Sequence, residues 1–268
     1  MQSTALALMA CENVREPGKH PLVPVYDLIA FCDLGMEPPW VMDQVEFIRA
    51  ACWKAGIRFE ILRSPLYEDY MSNFGKRRVV SIPFWTVDET GKKGKMMRNC
   101  TMDYKINLIQ KYVRWEILRY TKGQRTRPED IKAHEMHIGF SAEESRRCNE
   151  NPHKMFVNHF PLVEMGLERK DNYAYIKDVW GLDTKASACT FCPFHRNYFF
   201  ADLKDNHTDQ YRDLIEFDAM LENEQPNTKI RSKLFISRSR KRIVDLIPEE
   251  CQDAECFEYR GAQIWNGF

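Results

Sequence analysis

The sequence predicts an α/β fold built on a parallel sheet, followed by a mainly helical extension that carries paired cysteines. Three observations predict it: strand-period and helix-period segments alternate through the first third of the chain, a β-α-β unit can be read between residues 25 and 62, and beyond about Asn197 the chain turns helical and charged. The α/β part is expected over residues 1–185 and the extension over 186–268.

Residues 4–11 read as a helix, residues 25–33 as a buried strand and residues 40–55 as an amphipathic helix, with Val41, Val45, Ile48, Ala51 and Cys52 at helical spacing. Gly56 ends that helix, because glycine enters the left-handed region without a Cβ penalty. Residues 58–62 form the next strand. The pattern weakens over residues 64–95, where Pro, Gly and Lys accumulate, and a long helix resumes over 102–120 with Ile106, Ile109, Val113, Ile117 and Leu118 expected inward. Residues 123–128 read as a connection. Residues 135–140 read as a strand leading to Ser141, an expected helix N-cap with an acid at the third position.

Composition bounds the function. The chain has 268 residues, 44% hydrophobic, enough for one large core or two modest ones. Its 39 basic and 39 acidic residues cancel, so no global field recruits a polyanion and any such site is local. Nine cysteines, an odd number in a chain too long to need staples, fit reduced thiols better than a disulfide framework. The longest apolar stretches are too short to span a bilayer, so the expectation is a soluble, cytoplasmic protein with no membrane partner.

Cys189-Thr190-Phe191-Cys192-Pro193-Phe194-His195 is the most informative segment. Two thiolates two residues apart, on a tight turn, can aim at one metal centre, and His195 follows within reach. A redox dithiol, half of a zinc knuckle and cluster ligation all satisfy this spacing.

Several motifs occur in order: Gln2-Ser3-Thr4 before a helix, Phe31-Cys32-Asp33-Leu34-Gly35-Met36-Glu37, Arg98-Asn99-Cys100-Thr101, Tyr104-Lys105-Ile106, Ile138-Gly139-Phe140-Ser141 with Glu143, Glu144 and Arg146, Phe160 to Gly166 followed by Arg169-Lys170-Asp171, and the CxxC segment. Together, over roughly residues 1–200, they resemble the phosphoadenosine phosphosulfate (PAPS) reductase-like branch of the PP-loop superfamily, the stand-alone and often phage- or mobile-element-borne type. The cysteine motifs of assimilatory sulfate reductases are not found here. The resemblance implies a Rossmann-like parallel-sheet domain, an adenine nucleotide such as ATP with magnesium, and a [4Fe–4S] cluster or a zinc ion for sulfur transfer, reduction or adenylyl activation. A sulfur donor or reductant protein is the implied partner.

The resemblance also implies residue roles. Gln2, Ser3 and Thr4 match the exit of a glycine-rich phosphate loop, but Met1 stands where its glycines belong, so the preceding strand and most of the cradle are expected to be missing, through a late start or decay. Asp33, Gly35 and Glu37 would approach the nucleotide at the carboxyl end of a strand, where open α/β sheets bind ligands. Cys100, Cys189 and Cys192 would hold the cluster, with His195 able to complete a set of four. Arg98 and Lys105 would add positive charge beside thiolates and nucleotide.

Other readings stay open beside these. Ser3 and Asp33 are ordinary caps on their own, and Cys100 on its own is a buried apolar residue. Cys251 and Cys256 can join the CxxC in a closed four-cysteine zinc site of a non-catalytic interaction module. Cys11, Cys32, Cys52 and Cys148 read as core or incidental thiols. Arg231, Lys233, Arg238, Arg240, Lys241 and Arg242, with Phe235, form a basic run that can contact nucleic acid, as base thiolation would require, although a solvated run is the commoner case. His134, His137, His153 and His159 lack a zinc-protease spacing and read as scattered.

Overall fold

Helix α1 (Gln2–Arg15) is apolar on nearly every side, which is the pattern of a helix with no solvent face, and it is buried from Thr4 through Asn13. It packs against α2 (Pro39–Ala55) and α6 (Arg169–Trp180), and with the short α5 (Pro161–Glu164) they share a core that includes Leu8, Ile48, Cys52, Leu162 and Ile176. The fold comes from a computed structural model, which describes residues 1–185 and 187–247.

Strand β1 (Ile29–Asp33) pairs in parallel with β2 (Phe59–Arg63), Phe31 opposite Ile61, and α2 makes the crossover. Gly56 ends α2 at φ +72°, as its position predicts. The strand expected from residue 25 starts only at Ile29; Pro24 has no N–H to give a ladder, and Val25 is exposed. A second parallel pair joins β5 (His134–His137) to β6 (Phe156–His159). The protein is thus mixed α/β, with two parallel pairs that are separate sheets among the described residues.

The weakly patterned stretch after residue 64 is structured. It holds α3 (Leu66–Asn73) and a hairpin of β3 (Trp85–Val87) and β4 (Lys93–Lys95), onto which β7 (Lys233–Phe235) adds an antiparallel third strand. Strands of three residues are too short to display an alternation. The long helix expected over 102–120 forms, but α4 (Asn107–Tyr112) is flanked by π turns over Met102–Ile106 and Val113–Ile117. Each π turn adds a residue and rotates the following face. None of the five apolar residues expected inward is therefore fully buried, Ile117 is 38% exposed, and Gln110 is buried instead. Ser141 precedes a 3₁₀ segment, Ala142–Arg147, rather than an α-helix.

The second core gathers α3, residues 79–84, the CxxC turn, α7 (Asn197–Asn206), α8 (Thr208–Glu224) and β7. It crosses the expected boundary at 185/186, since Tyr70 and Phe84 pack with Phe191, Phe200 and Phe217. No helix among the described residues is long and apolar enough to cross a membrane.

Candidate thiol-centred site

The site is assembled where β1 ends. Asp33 Oδ1 accepts the Gly35 N–H at 2.8 Å, and Gly35 turns at φ +92°, where a Cβ would stand 3.1 Å from Tyr67 Cβ. This turn delivers Met36 and Glu37 to the CxxC segment: the Thr190 N–H donates to the Met36 carbonyl at 2.9 Å.

Phe191, between the two cysteines, anchors the CxxC turn. It is fully buried and stacks on Phe217 with ring centroids 4.8 Å apart. Burying such a ring contributes roughly 2–3 kcal/mol. The turn closes through the Cys192 N–H to the Cys189 carbonyl, and Trp85 Nε1 donates to the Pro193 carbonyl at 2.7 Å. His195 braces it from below: Nε2 donates to the Cys189 carbonyl at 3.0 Å and the ring stacks on Phe199. That nitrogen is committed to the backbone, and burial lowers the His195 pKa to about 4.

Cys100 arrives from the other side. The Asn99 and Cys100 N–H groups both donate to the Ser81 carbonyl, and the Ser81 hydroxyl donates to Asp103. Lys105 lies one turn on, within the first π turn, and its carbonyl accepts from the Cys32 thiol. Cys100, Cys189, Cys192, Arg98, Lys105 and Glu37 thus form one electrostatic neighbourhood drawn from three distant segments.

The two thiols of the CxxC differ. Cys189 donates to the Cys192 sulfur, which holds Cys189 protonated and lowers Cys192. The Phe194 N–H, Arg98 and Lys105 also favour the Cys192 thiolate. Burial raises Cys100, with Arg98 donating to its sulfur as partial compensation. Cys32 is pushed up to about 11 by burial. Glu37 is the anomaly, because both carboxylate oxygens are buried with no partner at hydrogen-bonding distance. Burial raises its pKa, which Lys105 and the nearby Leu34 backbone only partly offset.

The donor set suits a thiolate-bound group. Cys189 and Cys192 lie within hydrogen-bonding distance, whereas the three thiols, with or without His195, do not all close to within 4.8 Å among the described residues. Thiolates on one zinc ion stand about 3.8 Å apart, given Zn–S bonds of about 2.3 Å. Thiolates on different irons of a cluster stand further apart, so the three thiols are compatible with a zinc ion held in part by the pair or with a cluster.

Gln2, Ser3 and Thr4 lie elsewhere. Gln2 donates to Glu144 at 2.9 Å, Thr4 is buried, and Gly139 passes so close to Ser3 that a Cβ there would be 2.6 Å from the Ser3 nitrogen. The start of α1 is thus packed against the segment following β5. Cys251 and Cys256 lie outside the described residues.

The basic run is partly structural. Arg242 pairs with buried Asp218 at 2.9 Å, and Arg240 donates to the Thr86 and Gly94 carbonyls. The histidines divide in two. His134 pairs with Asp130 and His153 lies against Phe156, but His137 and His159 stand side by side with Glu135. The scattered reading fails for these two because strand register, invisible in the linear spacing, brings them together. Comparisons with protein-family models, curated proteins and solved structures return no match.

Proposed function

We propose that the chain is a PAPS reductase-like enzyme of the PP-loop class, using an adenine nucleotide and a cysteine-bound iron–sulfur or metal centre for sulfur transfer, reduction or adenylyl activation. One observation carries the reading: Cys100, Cys189 and Cys192 converge with Arg98, Lys105 and Glu37 beyond the carboxyl end of β1. Cys100, Cys189 and Cys192 would hold the centre, which when bound supplies electrons or carries sulfur. Arg98 and Lys105 stabilise thiolate charge there and attract an anionic nucleotide. Asp33 and Gly35 shape the loop at which the nucleotide, with magnesium, would lie, and the parallel β1–α2–β2 unit is compatible with a PP-loop sheet.

Equilibrium dialysis of anaerobically prepared protein against labelled ATP tests this. Binding weakened about tenfold by Lys105→Ala, a loss of about 1.4 kcal/mol, and unchanged by the exposed control Lys111→Ala supports the reading. No binding, or equal effects of the two variants, contradicts it.

A second reading, thiolation of a nucleic-acid base, is favoured by the hairpin beside the turn. Lys92, Lys93 and Lys95 are exposed there, and Lys95 lies over Phe194 at 4.7 Å. Such a cationic edge leading to the thiols suits a phosphate backbone.

A further inference from the structure

The carboxyl ends of β5 and β6 hold a group of side chains that the thiol-centred reading does not use. The strands are parallel and in register, so His137 faces His159 directly, and Glu135 lies two residues earlier on the same face. The imidazole rings are stacked, with centroids 4.9 Å apart. One ligand atom from each of Glu135, His137 and His159 lies within 4.8 Å of the other two.

Hydrogen bonding alone leaves this group incompletely satisfied. His137 Nε2 meets Glu135 Oε2 at 3.1 Å, but His159 Nε2 stops 3.8 Å from Glu135 Oε1, beyond a hydrogen bond. His137 Nδ1 is buried without a hydrogen-bond partner, with the Tyr26 ring edge-on to the imidazole, so Nε2, the nitrogen that meets Glu135, is the one turned toward an ion shared with that carboxylate. Two imidazoles and a carboxylate suit a divalent ion of the zinc, cobalt or nickel type. Ligand atoms on one such ion stand about 3.4 Å apart, given metal–nitrogen bonds of about 2.1 Å, so side-chain rotation closing the group by about an ångström suffices.

We propose that Glu135, His137 and His159 form a binding site for a divalent transition-metal ion of the zinc class, independent of the cysteine centre. His137 is the fixed ligand, with a side chain 10% exposed, while His159 and Glu135, at 37% and 62%, close on the ion from the solvent side. Three protein ligands leave a coordination position for water or for an oxygen of an incoming anion, the arrangement of an open rather than a closed structural site. Its position at the ends of two parallel strands places it at the edge of an α/β sheet that commonly takes ligands.

The test uses metal-depleted full-length protein without a histidine tag, titrated with Zn²⁺ against a chromogenic chelator and separately with Co²⁺ while the visible spectrum is recorded. Both titrations are repeated for Cys100→Ser/Cys189→Ser/Cys192→Ser, His159→Ala and Glu135→Gln. The last two alter solvent-side residues, and far-UV circular dichroism checks their folding. The proposal predicts one equivalent of metal in the background lacking Cys100, Cys189 and Cys192, with weak cobalt bands lacking thiolate charge transfer, and affinity lowered about tenfold or more by either single variant. Metal bound only when the three cysteines are present overturns it, and so does binding that His159→Ala and Glu135→Gln leave unchanged.

Discussion

The Thr190 N–H donates to the Met36 carbonyl at 2.9 Å, and this bond joins the CxxC turn to the loop leaving β1. It places Glu37 and the two cysteines in one neighbourhood across more than half of the chain. The local stability and chemistry of the site follow from how its buried charges are compensated.

Glu37 in metal-depleted protein is a buried, unpartnered carboxylate with a raised pKa. The folded state therefore holds its proton more tightly than the unfolded state, and stability is lost as pH rises from the ordinary glutamate value through the folded one. Glu37→Gln removes that dependence and raises the stability of the metal-free protein at neutral pH relative to the parent. Urea unfolding at pH 5 and pH 8 measures it; equal pH dependence in both proteins would refute the assignment.

His195 predicts the opposite slope. Its pKa is lowered to about 4 by burial, so its contribution is intact above the ordinary histidine value of 6.5 and is lost as pH falls through the folded value. The full shift corresponds to about 3 kcal/mol. His195→Gln keeps an N–H donor for the Cys189 carbonyl without a titrating ring, and its urea midpoint should vary less between pH 7 and pH 4 than that of the parent.

Cys192 should be the reactive thiol of the pair. Cys189 donates to it and Arg98 and Lys105 favour its thiolate. Mass-spectrometric mapping of alkylation across pH should show Cys192 reacting at lower pH than Cys189. Arg98→Ala combined with Lys105→Met should raise the Cys192 transition and slow its alkylation at neutral pH by about threefold to tenfold, since one unit of pKa is tenfold in thiolate.

Arg242 should matter for folding rather than for a polyanion. It pairs with Asp218, whose side chain is 4% exposed. Arg242→Ala strands a buried carboxylate and should cost about 3–5 kcal/mol of stability, read by denaturant titration. Lys93→Glu with Lys95→Glu, on the exposed hairpin, should leave stability nearly unchanged. If the base-thiolation reading is right, the same pair lowers RNA affinity in dilute salt.

Helices α1 and α2 and the parallel β1–β2 pair were legible because long apolar periodicities and a C-capping glycine report local structure directly. The hairpin carrying Trp85 was not, since three-residue strands have no period to read. The inward face of the helix around Gln110 was misjudged because π turns alter the periodicity, and nothing local announces them. Within the site, the cysteines and Lys105 were visible as spacings and motifs. Glu37 was visible only as a loop acid, because its burial depends on packing from residues far along the chain. The Glu135, His137 and His159 group required a strand register that no linear spacing encodes.

The most direct test of the central claim is anaerobic purification with iron, acid-labile sulfide and zinc quantified, for the parent and for Cys100→Ala/Cys189→Ala/Cys192→Ala. Iron and sulfide are expected together in the parent and neither in the triple variant. Parent protein without iron and sulfide, carrying zinc that is retained in Cys100→Ala and lost with Cys251→Ala or Cys256→Ala, would contradict it.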